Sequence, residues 1–129
     1  MVKSGERKRK SEGFRSSDRL LKRREFLALS RNGRKLQDSC FLLFYRTGVQ
    51  DRPRLGVTVS KRVGNAVTRN RLKRLIREFF RKNRQALEDN PEGKADINII
   101  AKPAAARLSA QEVEAALNRL FSKLRQGNH

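Results

Sequence analysis

Between residues 61 and 84 ten side chains are Lys or Arg, and Glu78 is the one acid among them. Cationic groups at that density do one kind of chemistry well. They bind phosphate oxygens, Arg through a planar fork of donors and Lys as a compact charge. Little else in the chain is equipped for chemistry. Cys40 is the only cysteine, and His129, at the last position, is the only histidine. Cys–His catalysis, a Ser–His–Asp triad and a thiolate zinc site are therefore excluded. Cys40 lies in the apolar run CFLLFY and reads as a small core residue rather than a nucleophile. No catalytic residue and no metal ligand is assigned.

A segment with this charge must still fold. Leu72, Leu75, Ile76, Phe79 and Leu87 recur at helical spacing. They predict a helix from about Thr68 to Leu87, roughly 30 Å long. Lys73, Arg74, Arg77, Arg81 and Arg84 fall on the opposite side, with Arg71 and Lys82 flanking. A solvated helix face relieves such repulsion with Glu–Lys pairs at i,i+4, and Glu78 alone is available. Each like-charge neighbour costs about 0.2–0.5 kcal/mol. A phosphate backbone is the natural counterweight. A membrane surface fits less well, because the apolar stripe is the obvious cover for a sheet.

The elements that must position this helix follow from pattern. At 129 residues the chain suffices for one modest core. Its formal net charge of +19 is unevenly spread. Residues 1–60 carry 16 basic and 6 acidic groups, and residues 85–129 carry six of each. A field with direction results, suited to a polyanion. Residues 1–18 are polar, basic and aperiodic, and are expected to form a flexible tail ahead of a single domain over 19–126. LLKRREFLALSR predicts a first helix contributing Leu20, Phe26, Leu27 and Leu29, stopped by Asn32-Gly33.

CFLLFYR, residues 40–46, predicts a strand with both faces apolar, either central or turned toward a ligand. A turn is expected over Gly48–Pro53. RLGVTVS alternates, with Leu55, Val57 and Val59 inward and Gly56, Thr58 and Ser60 outward. ADINIIA is a third strand, ended by Pro103. Ser109 and Glu112 form a capping-box signature for a last helix striped by Val113, Ala116, Leu117, Leu120, Phe121 and Leu124. The order helix, strand, strand, helix, strand, helix gives an α/β two-layer sandwich. No apolar run approaches about 18 residues, so no membrane span is expected. The basic start lacks an apolar signal core, and a cytoplasmic location is expected.

Strands flank the basic helix, which argues against a helix-turn-helix in a DNA groove. Phe26, Phe41, Phe44 and Tyr45 instead offer rings for stacking on single-stranded RNA, with core packing as the competing use of Phe41 and Phe44. A ribosomal or assembly-type RNA-binding protein shares these features. It has no need of the contiguous run Gly64-Asn65-Ala66-Val67, Arg69-Asn70-Arg71, Lys73-Arg74, Arg77.

That run, inside LGVTVSKRVGNAVTRNRLKRLIRE, resembles the hallmark of the bacterial ribonuclease P protein subunit. RLLKRREF, CFLLFYR and INIIAKPAA are similar to further segments of the family, and the resemblance covers roughly residues 19–125. It implies a ribosomal-protein-like fold with an unusual left-handed βαβ crossover through the basic helix. It implies cleavage of the 5′ leader from precursor tRNA, with the chemistry done by an RNA subunit that holds Mg²⁺. The protein then binds no cofactor of its own and needs no protein partner. By resemblance, Asn65, Arg69, Asn70, Arg71, Lys73, Arg74 and Arg77 face the RNA subunit. Phe26, Phe44, Ser60, Lys61 and Arg62 line a cleft for the leader. Where the family often carries a second cleft aromatic, about one turn after Phe26, this chain has Leu29-Ser30. Asn65 also admits a simpler role as a turn-former before the helix.

Overall fold

The first helix, α1 (Arg23–Asn32), turns directly into the sheet because Gly33 donates its amide to Leu29 O at 2.9 Å. The computed structural model describes residues 23–50, 53–89 and 94–125, so the 1–18 tail and Leu20 lie outside the described residues. Strands β1 (Arg34–Gln37), β2 (Phe41–Gln50), β3 (Arg54–Thr58) and β4 (Lys94–Ala101) form one sheet in the order β1-β2-β4-β3. The β1–β2 and β2–β4 pairs are antiparallel and β3–β4 is parallel. The parallel pair requires a crossover, supplied by α2 (Ala66–Lys82) and the short α3 (Arg84–Glu88). A 3₁₀ turn (Pro103–Arg107) and α4 (Ala110–Arg125) complete the chain.

One sheet face carries the core. Phe41, Leu43 and Tyr45 of β2, Leu55 of β3 and Ile97 and Ile99 of β4 are buried there. Leu72, Ile76, Phe79 and Phe80 of α2 and the whole predicted stripe of α4 cover them. Phe79 and Phe121 lock the two helices edge to face, 4.8 Å between centroids at 83°. The capping box at the start of α4 forms as its spacing predicts. Ser109 Oγ accepts from the Glu112 amide at 3.1 Å, and Glu112 Oε1 accepts from the Ser109 amide at 2.8 Å. Two layers thus hold the core, and α1 lies on the sheet's outer face over one end.

Several expectations are corrected. The basic helix starts at Ala66, not Thr68, and breaks at Asn83, whose Nδ2 donates to Phe79 O at 2.8 Å in competition with the helix ladder. Leu87 reaches the core from α3 rather than from one continuous helix. Strand β2 runs on to Gln50 through an irregularity after Thr47, where a turn from Gly48 was expected. Strand β1, RKLQ, has one apolar residue and left no pattern to read. On α1 Leu29 is buried but Leu27 is exposed. Phe41 and Tyr45 are core residues and offer no ring to a ligand.

Candidate nucleic-acid interface

Strand alternation sends the other half of each strand to the outer face, and register sorts those residues into rows. Arg46, Asp96 and Arg54 form the row beneath α1. Lys35, Phe44, Asn98 and Gly56 form the next, and Gln37, Leu42, Ile100 and Thr58 the one beyond. Successive rows lie about 6.6 Å apart along the strands. Beyond Thr58 the chain turns at Ser60–Val63, closed by the Val63 amide on Ser60 O at 3.1 Å. Val59 and Val63 are buried on either side, so Ser60, Lys61 and Arg62 are exposed at the mouth of the groove.

Phe26 reaches this face from α1. A side chain at position 56 would strike its ring and stand 3.2 Å from Asn98 Oδ1, so glycine is what lets the ring settle onto β3. Phe44 is half-buried on the same face, separated from Gly56 in the row by Asn98. Asn98 is only 3 % exposed, and Thr58 Oγ1 donates weakly to its Oδ1 at 3.5 Å. Leu29, where a second ring was considered, is buried under α1, and Ser30 is exposed.

The position of α1 is set by Arg54. Its Nε and Nη2 bind both oxygens of Asp96 at 3.0 and 2.9 Å, and its Nη1 meets Glu25 of α1 at 3.0 Å. The hydrogen bond that Arg54 donates to Asp96 raises the guanidinium pKa above its ordinary value, and burial opposes this less strongly. Sequence reasoning missed Glu25, Arg46, Arg54, Asp96 and Asn98. The available signal was the period-two polarity of Asp96 and Asn98 between buried isoleucines. A strand with polar residues on a covered face has something to bind there.

The groove's mouth leads round the sheet edge to the start of α2. Asn65 caps that helix, its Oδ1 accepting from the Thr68 amide at 3.0 Å, which bears out the simpler role considered for it. Arg69 Nε donates to Gly64 O at 3.1 Å and Arg71 Nη2 to Leu108 O at 2.9 Å. A carbonyl orients a guanidinium without removing its charge. Asn70 and Arg74 are exposed, and Lys73 and Arg77 are half-exposed. Glu78 pairs with Arg81 at the far end of the helix, and that hydrogen bond lowers the Glu78 pKa. The first two turns of α2 contain no acid at all.

A small sheet with a basic crossover helix over its core and a ring-bearing groove on its outer face defines a recognisable class of α/β protein. Solved structures share the fold. A mutant RNase P protein of Staphylococcus aureus superposes with a TM-score of 0.77 at 28% identity, covering 84% of this chain and 89% of its own. The RNase P protein of Thermotoga maritima gives 0.69 at 35% identity, covering 81% and 96%. The Ribonuclease P family model matches residues 14–125. The ribonuclease P protein component of Desulforapulum autotrophicum is 48% identical over 114 residues, 88% of this chain and 94% of the relative. This chain belongs to the ribonuclease P protein family.

Proposed function

We propose that this chain binds a catalytic ribonuclease P RNA through the start of α2 and the 5′ leader of precursor tRNA through the outer-face groove. In doing so it assists endonucleolytic removal of the leader, which gives the mature tRNA 5′ end. One observation carries the reading. The groove, the Ser60–Arg62 turn and the acid-free first turns of α2 follow one another round a single sheet edge. Two RNA strands brought together there repel, and the cations between them reduce that repulsion within a Debye length of about 8 Å. Phe26 and Phe44 give leader bases a stacking surface. A held leader in turn orients the scissile bond against the RNA's reacting groups.

The chain supplies binding and orientation, and the RNA supplies the bond-breaking groups. Mg²⁺ belongs to the RNA in this scheme. Asp96 and Glu25, the carboxylates of the groove, are already engaged by Arg54 and do not suit a divalent cation. The crossover through α2 is taken as left-handed, as the family resemblance implies, and the working location as the cytoplasm. The test is reconstitution with a precursor tRNA bearing a 5′ leader. At low Mg²⁺ cleavage should require both a ribonuclease P RNA and this protein. If the protein alone cuts as well as the mixture, the subunit reading fails.

A further inference from the structure

Beneath α1 the row Arg46–Asp96–Arg54 holds two cations against one carboxylate. Arg54 takes both oxygens of Asp96 and also pairs with Glu25, so both acids are already engaged by one guanidinium. Arg46 Nε is buried and has no hydrogen-bond partner among the described residues. A desolvated guanidinium donor without a partner is costly and calls for an explanation. A cavity of about 350 Å³ opens beside it, lined by Arg24, Glu25, Ala28, Leu29, Arg46, Arg54 and Asp96. Its walls carry three guanidinium groups and two carboxylates, both already paired. The space, the excess positive charge and the vacant donor fit one ligand chemistry, a phosphate group.

We propose that this cavity is a phosphate seat, with Arg46 as its buried anchor and Arg24 at its exposed rim. It lies one row from Phe44 and Asn98, at the end of the groove away from Lys61 and Arg62. On the leader-binding reading, which this inference deepens, it fixes how far a strand slides along the groove. A stacked base alone would not do that, since stacking tolerates displacement. The seated group is either an internal phosphodiester or the leader's 5′-terminal phosphate, and the chemistry is the same for both.

The test uses the full chain labelled with ¹⁵N and follows the Arg46 Nε–H signal, assigned by its loss in Arg46→Lys. Inorganic phosphate should shift and saturate this signal, whereas sodium chloride at equal ionic strength should not. An unmoved signal at saturating phosphate overturns the proposal. This arm involves no RNA, so it can succeed even if leader binding fails. Leader oligonucleotides then identify the source. Arg46→Gln should weaken their binding several-fold and lower the log–log salt slope by about 0.7. Arg46→Lys, which keeps the charge, should preserve the slope. A loss with 5′-hydroxyl and 5′-phosphate leaders alike assigns an internal phosphodiester, and a loss confined to the 5′-phosphate leader assigns the terminus. Unchanged binding and slope for both overturn the seat as a leader contact.

Discussion

Gly56 works by what it lacks. The Phe26 ring occupies the space that a Cβ there would fill, so Gly56→Ala must swing the ring off the sheet. Phe26→Ala removes it altogether. Both variants should weaken binding of precursor tRNA in the reconstituted complex while sparing mature tRNA, which has no leader. Equal losses for the two RNAs would remove Phe26 from the groove. Asn65 makes a contrasting case. As the cap of α2 it should cost about 1 kcal/mol of stability when changed to Ala, read by thermal unfolding, whether or not RNA is present. Phe26 was legible because an aromatic in a basic helix stands out. Asn98 was harder to read, because the period-two polarity it shares with Asp96 looks like the solvent face of an edge strand until the register shows both faces covered.

At the scale of the element, α2 has two kinds of arginine. Arg69 leans on its own helix's approach loop, whereas Arg71 reaches across to Leu108 and ties α2 to the turn that launches α4. Arg69→Ala should therefore weaken assembly with the RNA subunit and leave the melting temperature almost unchanged. Arg71→Ala should do both, losing about 1 kcal/mol of stability as well. Filter binding together with calorimetry separates the two. Similar melting temperatures for both variants would show that the Leu108 contact contributes nothing. The helix itself was legible from its stripe. Its break at Asn83 was not, since Leu87 continues the period and the interruption shows in the non-helical backbone of Asn83 and its side-chain bond to Phe79 O. Strand β1 was invisible for the opposite reason. An edge strand held by backbone pairing needs no side-chain pattern.

For the whole molecule, charge is separated by face and by sequence third, so salt should act on binding far more than on folding. If five to seven cations each neutralise a phosphate, the log–log slope of RNA affinity against salt should lie at roughly −4 to −6. A slope near −1 in a salt titration would mean that α2 is merely a solvated surface. The general architecture could be read in advance because helix and strand periods switch cleanly along the chain. The strand order could not, because pattern alone does not say which strand finds which neighbour.

That order has a bearing on synthesis. Arg54 and Asp96, adjacent across the parallel pair, stand 42 residues apart in the chain, and among the described residues β3 has β4 as its sole hydrogen-bonded neighbour in the sheet. A nascent polypeptide that has just released α2 therefore presents an unpaired strand and an uncovered apolar stripe beside its densest positive charge. Until β4 and α4 leave the ribosome, the helix presents its charge without the sheet that completes the proposed RNA-binding surface.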